Sequence, residues 1–366
     1  MLFDSSLRKE LGRSFGATLV VLVTIVMTVM LIRTLGQASR GNVDPSEVML
    51  IMGFMVLGHL PTILTLSLFV AITATLTRMY ASSEMVVWFS SGQGLMSFLR
   101  PLFRFAWPVL VAIALLALVV WPWSNQQARE LRERFQGRGD VERVAPGRFI
   151  ESAGGQRVFF IDKDSAGEQS GNNIFIATSE RGRETVTSAQ SGRLETIKGE
   201  RFIVLDKGQR LETVQATGET RVSEFAEYGN RIGAAPPEAG GPARPETTST
   251  LALLRTPTAV NLGELSWRLG LALAAINLVI FALAATRVNP RVGRSAGLVF
   301  ALFAFISYYN LLSFGETWIR RGRFGFGPYM LLLHGGVLLL ALGWLLARHK
   351  GWTSAWRWPT LRRSAP

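Results

Sequence analysis

The chain has 366 residues, 48% of them hydrophobic and only 18% charged, with positive mean hydropathy; that length allows two domains, and the charge is too sparse for an ordinary soluble protein. There is no cysteine, which excludes disulfides, thiolate metal sites and cysteine nucleophiles, and the three histidines (His59, His334, His349) are too scattered in sequence to suggest a metal cluster. The net charge of +13 is unevenly placed. Ser124 to Val260 holds 19 basic and 19 acidic residues, whereas the remainder holds 20 and 7, so the excess flanks apolar runs and points to membrane topology, not to a nucleic-acid partner.

Six stretches approach the roughly 20 apolar residues that a membrane-crossing helix needs. The first, Ser14 to Ile32, is uncharged, has no small-residue cleavage site, and reads as a signal anchor rather than a signal peptide. Arg33 closes it. Two readings stand for this residue: an interfacial side chain snorkelling to water, or a guanidinium offered to an anionic head group. The second stretch, Val48 to Thr77, is long enough to tilt, and His59 beside Pro61 reads as a packed histidine at a kink.

Tyr80 to Gly92 follows (YASSEMVVWFSSG). Ser82 or Ser83 is placed to cap a short helix over about 81–92, with Glu84 in its first turn, where the helix dipole favours an acid. Met85, Val86, Trp88 and Phe89 then form an apolar surface with one carboxylate at its end. That surface suits either the lipid plane or a groove on a cytosolic partner. Ser90 to Gly94 (SSGQG) faintly resembles the signature loop of ABC ATPases, but no nucleotide domain surrounds it, and no GxxxxGK[ST] phosphate loop occurs anywhere.

The third span is Phe105 to Trp123. After it, residues 124–260 form a neutral, β-rich domain. Strands are expected at Arg148–Ser152, Arg157–Asp162, Asn173–Thr178 and Arg201–Asp206, with Gly154-Gly155, Gly171-Asn172, Gly192, Gly199 and Gly208 as turns. Their spacing suggests an antiparallel sandwich or jelly roll, whose open edge would suit a partner strand. Residues from about 233 to 250 contain four prolines and no apolar periodicity, and read as a flexible linker.

Residues 261–366 supply three more spans, Leu269 to Thr286, Ser295 to Gly315 and Phe324 to Ala347, and a basic tail. Asn277 and Asn310 read as interhelical hydrogen bonders. No Asp or Glu lies within a span so drawn, which disfavours an ion-coupled transporter. Basic residues precede span one, separate spans two and three and spans four and five, and follow span six, so both termini belong in the cytoplasm and the β domain outside. Arg320, Arg321 and Arg323 fall on the other side and oppose that rule.

Several strings, in order and at matching spacing over nearly the whole chain, resemble the lipopolysaccharide-export permease family, LptF and LptG. They are Leu35-Gly36 after the basic end of span one, Ser82-Ser83-Glu84, Gly92, Trp121-Pro-Trp-Ser-Asn125, Glu264-Leu-Ser-Trp-Arg268 and Val288-Asn-Pro-Arg-Val-Gly-Arg294. The Pro-Trp-Ser and Asn-Pro-Arg strings look closer to the F branch.

The resemblance implies a six-span helical bundle with an inserted periplasmic, jelly-roll-like domain. Two such permeases, one LptG-like, would pair over a cytosolic ABC ATPase dimer. Together they would take lipopolysaccharide from the outer leaflet and pass it, through a membrane-anchored LptC-like jelly-roll partner, to a periplasmic bridge. It implies that Arg33 contacts the substrate's phosphates, that Glu84 lies on the helix coupled to the ATPase, and that ATP is bound by the partner, leaving this chain without a cofactor or catalytic residue of its own. The resemblance implies a second basic position one turn before that Arg, and this chain has Met30 there. Extracting an acylated lipid is uphill by about 0.8 kcal/mol per CH₂, so an energy source outside the chain is required. Permeases of other ABC classes commonly place a large outer domain after the first span, unlike the three-plus-three layout here, and a non-transporting membrane scaffold is the remaining alternative.

Overall fold

A charge-free run in hydrocarbon satisfies its backbone polar groups only as a helix. Among the described residues, six helices are long and apolar enough to cross a membrane: Ser5–Ser39, Pro45–Ala81, Leu95–Arg134, Ala259–Ala285, Gly297–Arg320 and Phe326–His349. The computed structural model describes residues 2–39, 43–137, 149–152, 157–160, 162, 170–180, 182–197, 200–215, 218–233, 244–286 and 294–349. Expected turns at Gly154-Gly155 and Gly199, the basic residues Arg287 and Arg291, and the basic tail lie outside these residues.

The helices are α1 (Leu2–Ser39), α2 (Val48–Ala81), α3 (Glu84–Ser90), α4 (Leu99–Leu115) and α5 (Trp121–Gly137), then α6 (Thr250–Arg255), α7 (Ala259–Ala285), α8 (Arg294–Arg320), α9 (Phe326–Met330) and α10 (Gly336–His349). A π turn at Leu116–Val120 joins α4 to α5, and another at Leu331–Gly335 joins α9 to α10. The chain divides into two compact units. One comprises Met1–Met30, Met52–Gln127 and Arg244–Pro366; the other comprises Leu31–Ile51 and Ala128–Ala243. The stretch 244–260, expected with the β domain, therefore belongs with the helices.

In the helical unit α7 is the central element. It packs against α4, α8 and α10, and it buries small residues (Gly263, Gly270, Ala274, Ala275, Ala282, Ala284) beside Leu271, Leu278 and Leu283. Lipid is as apolar as leucine, so helix association in a membrane rests on close packing and hydrogen bonds, which small residues permit. Gly270 shows how close: a Cβ there would meet Leu312 Cδ2 at 2.7 Å and His334 Nε2 at 3.1 Å. By contrast, α1 leaves Val20, Val21, Ile25 and Ile32 more than half exposed, an apolar face that the described residues do not cover.

The other unit contains one six-stranded antiparallel sheet in chain order: β1 (Ile150–Ser152), β2 (Arg157–Phe160), β3 (Ser170–Glu180), β4 (Arg183–Ile197), β5 (Glu200–Val214) and β6 (Thr220–Gly233). The expected all-β insertion is present, with the connectivity of a meander among its described strands. Ile174, Ile176, Ala189, Ile203 and Leu205 form its core with Phe225 and Tyr228 against them.

Two strands escaped the sequence reading, β4 and β6, because their apolar residues are few and Arg, Glu, Ser and Thr dominate. Three glycine positions expected as turns lie inside strands instead. Gly171 pairs with Gly192, Gly192 with Leu205, and Gly208 with Phe225. At Gly192 a Cβ would stand 2.7 Å from Ile174 Cδ1, and at Gly208 it would meet the Phe225 ring at 2.5 Å. Glycine is used here for close approach across the sheet, not to reverse the chain.

Candidate functional site

Arg33 stands near the end of α1 with its side chain exposed, and it makes no hydrogen bond or ion pair with another described residue. All five donors of its planar guanidinium are thus available to an anionic group. Met30, one turn earlier, is buried at 5% exposure. Thr24 and Thr28 spend their hydroxyls on the α1 backbone, 2.8 and 2.9 Å from the carbonyls of Val20 and Thr24. Arg33 is therefore the cation that this part of α1 presents.

Glu84 opens α3, whose Met85 is buried while Val86 and Val87 are exposed, leaving an apolar outer surface. The expected serine cap is not formed. Ser83 occupies the N-cap at φ 62° with no side-chain capping bond, and the Ser82 hydroxyl lies 2.9 Å from both Glu84 Oε1 and the Arg78 carbonyl. Gly92, at φ +86°, ends the segment as expected. Glu84 already has a basic neighbour within the chain: Arg78 Nη1 donates to its Oε1 at 3.2 Å, and Arg78 Nη2 pairs with Glu10 of α1. Both side chains of the Arg78–Glu84 pair are 42% exposed, so solvent screens the pair and leaves Glu84 accessible.

A third constellation was not foreseen. At the N-terminal end of α7, Glu264 and Arg268 have side-chain exposures of 2% and 0% and pair at 2.9 Å. Every N–H of Arg268 has an acceptor. Nε donates to Glu264 Oε1; Nη1 donates to the Thr248 carbonyl at 3.0 Å and Thr250 Oγ1 at 2.9 Å; Nη2 donates to the Pro245 carbonyl at 2.9 Å and the Glu246 carbonyl at 3.4 Å. Glu264 accepts further bonds from Trp121 Nε1 at 3.0 Å and Arg320 Nη2 at 3.1 Å. Arg320 also holds Glu246 at 2.7 Å and Glu316 at 2.9 Å.

Two sequence expectations are corrected by this cluster. Carboxylates do lie within the spanning helices, at Glu264 of α7 and Glu316 of α8. Hydropathy ended each span at its first charge, yet pairing lets the helix run on through it. The described part of the expected linker, Arg244–Thr250, is a short 3₁₀ turn (Pro245–Thr247) entering α6, and its carbonyls are the acceptors of Arg268. The spacing of Glu264 and Arg268, four residues apart, was the available signal. Arg320, one of three residues that opposed the positive-inside rule, is there to neutralise carboxylates. Burial opposes the charge of Glu246, but the hydrogen bond and charge of Arg320, backbone donation and Arg244 outweigh it and hold the carboxyl below its ordinary range.

Deeper in the bundle Asn277 does join helices, donating to Tyr308 Oη at 2.8 Å and to the His334 carbonyl at 2.9 Å, while Tyr308 Oη lies 2.8 Å from His334 Nδ1. Asn310, expected to act likewise, is exposed and makes no such bond among the described residues, because its helical position turns it away from α7. His59 packs as expected, its Nδ1 2.7 Å from the Met55 carbonyl and its ring against Trp121. Arg348 of α10 caps the end of α7, donating to the carbonyls of Ala284 at 2.7 Å and Thr286 at 2.8 Å, where a helix end has unpaired acceptors.

The profile of the lipopolysaccharide export system permease LptF/LptG family matches residues 7–349. The chain is similar to the lipopolysaccharide export system permease protein LptF of Escherichia coli K12, at 26% identity over 315 residues, covering 84% of this chain and 85% of the relative. It is similar to the protein of the same name from Shigella flexneri to the same extent. With six spanning helices and an inserted β sheet, this multi-pass inner-membrane chain belongs to the LptF/LptG family of lipopolysaccharide export permeases.

Proposed function

We propose that this chain is the permease subunit that draws lipopolysaccharide from the outer leaflet of the inner membrane and hands it to a periplasmic jelly-roll bridge, powered by a separate cytosolic ABC ATPase. The observation that carries the reading is the family match along residues 7–349, over a bundle whose charges and exposed faces suit that task. Arg33 is exposed and unpaired among the described residues, as a contact for the substrate's phosphates must be. The bare apolar face of α1 suits a cavity shared with a second, LptG-like permease and filled by acyl chains.

On the cytoplasmic side, Glu84 with the exposed Val86, Val87 and Phe89 forms the surface that docks on the ATPase. Docking exchanges the solvent-screened Arg78 for a basic group of the ATPase at little cost, since exposed ion pairs are worth about 0–1 kcal/mol. The β domain lies in the periplasm, and the edge of its sheet receives the membrane-anchored, LptC-like partner.

Purification of the chain in mild detergent with its cellular neighbours tests this. The ATPase, a second permease of similar layout and bound lipopolysaccharide should co-purify, and Glu84→Ala should release the ATPase while Arg33→Ala depletes the glycolipid. Recovery of the chain alone, under conditions that hold other ABC complexes together, would leave only a membrane scaffold.

A further inference from the structure

Helix α3 cannot hold itself in place. It has seven residues, too few to be stable alone, because the first turn of a helix costs more order than its one hydrogen bond returns. Its N-cap makes no side-chain bond either. Support therefore comes from outside the helix. Met85 is buried in the helical core, and the Phe89 ring lies 6.5 Å from that of Tyr80 in α2 and 6.3 Å from that of Phe98.

Tyr80 is itself fixed by Arg348, the penultimate residue of α10. Arg348 Nη2 donates to Tyr80 Oη at 3.0 Å, and its guanidinium carbon lies 5.9 Å from the ring centroid. Arg348 Nη1 donates instead to the end of α7, to the carbonyls of Ala284 at 2.7 Å, Thr286 at 2.8 Å and Leu283 at 3.3 Å. The next residue, His349, packs on the chain beyond α3, where a Cβ at Gly94 would meet its ring at 2.6 Å. All of these residues belong to the helical unit. The end of α10 thus touches the chain on both sides of α3 and ties it to α7.

Capping α7 asks only for a cation near its last turn, which a lysine supplies as well. The cap has no need of the second branch of the fork. We propose that Arg348 is a positioning residue for ATPase docking: through Tyr80 it sets the Phe89 side of α3, and with it the surface around Glu84, against the end of α7. The part played in docking rests on the function proposed above; the bracing of α3 does not.

The test uses the full-length chain with a second LptF/LptG-family permease in nanodiscs. Arg348→Lys keeps a cation at the end of α7 but lacks the fork that also reaches Tyr80, and Tyr80→Phe removes the acceptor while keeping the ring. Hydrogen exchange read by mass spectrometry should be about fivefold faster over Glu84–Ser90 in both variants, and parental in the interior of α7 and in α8. A cytosolic ABC ATPase of the export system, titrated onto the same nanodiscs, should bind both about fivefold more weakly. Parental exchange over α3 in either variant would overturn the proposal, as would faster exchange spread evenly over the helical unit. Faster exchange over α3 with parental ATPase affinity would overturn the docking role. Glu84→Ala is the reference: if it too left the affinity parental, the docking reading itself would fall, and exchange would still judge the bracing. Should Arg348→Lys fail to fold, Tyr80→Phe alone decides.

Discussion

Replacing Arg268 by methionine removes the guanidinium and keeps much of its volume. The structure sets the size of the effect. Glu264, with a side chain 2% exposed, loses one hydrogen-bonded cation at 2.9 Å but keeps Arg320 Nη2 at 3.1 Å and Trp121 Nε1 at 3.0 Å. The carbonyls of Pro245 and Thr248 lose their donor. Breaking a buried pair from one side costs roughly 3–5 kcal/mol, and the surviving partners of Glu264 place this case near 3. Glu264→Gln leaves Arg268 buried without its carboxylate and turns an amide N–H toward Arg320 Nη2, so it should cost at least as much, about 3–5 kcal/mol. The two changes share one interaction, so the double variant should be more stable than the sum of the single effects implies, by about 1 kcal/mol or more. Equilibrium unfolding in mixed micelles, followed by tryptophan fluorescence, measures all three. A cost below about 0.5 kcal/mol for Arg268→Met, the range of ordinary surface changes, would refute the reasoning.

Gly270→Val should destabilise the bundle by about 1–3 kcal/mol, because even a Cβ at that position meets Leu312 and His334, and thermal unfolding in detergent would show it. Asn277→Leu, which strands the Tyr308 hydroxyl and the His334 carbonyl, should cost about 0.6–2 kcal/mol in the same assay. The depressed carboxyl of Glu246 contributes stability in full above the ordinary glutamate range, about 4.3, and loses it as pH falls through its lower folded value. Stability measured against pH should therefore decline on the acid side, with a shallower slope in Glu246→Gln. Arg33→Lys should retain more bound lipopolysaccharide than Arg33→Ala, yet less than the parent, since an ammonium supplies charge without the paired fork; equal retention by all three would remove Arg33 from the phosphate contact.

Much of this molecule is written in runs long enough to survive local noise. Six charge-free stretches and the distribution of basic residues reveal the spans, and Ile174, Ile176, Ile203 and Leu205 mark their strands by alternation. Strands β4 and β6 stay hidden because their side chains are mostly polar; neighbouring strands, not their own pattern, hold them in the sheet. Gly192 and Gly208 mislead for a related reason, since a glycine serves a close cross-strand approach as readily as a turn. The charge cluster is invisible to hydropathy, which treats Glu264, Arg268 and Arg320 as span ends. Only the fold reveals that they neutralise one another and that a proline-rich segment supplies acceptors. The sequence singles out Arg33 and Glu84 as individual charges, without their neighbours. The partnership of Glu84 with Arg78 and Glu10 required three helices to meet.

Reconstitution tests most directly whether ATP drives lipopolysaccharide movement through this chain. Proteoliposomes holding the chain with a second LptF/LptG-family permease, an ABC ATPase and a membrane-anchored jelly-roll protein would be loaded with lipopolysaccharide, supplied with ATP, and assayed for transfer to a soluble jelly-roll acceptor. Transfer that requires ATP and is weakened by Arg33→Ala and Glu84→Ala is the predicted result. Transfer unaffected by either change, or absent while the ATPase turns over in an intact complex, would contradict it.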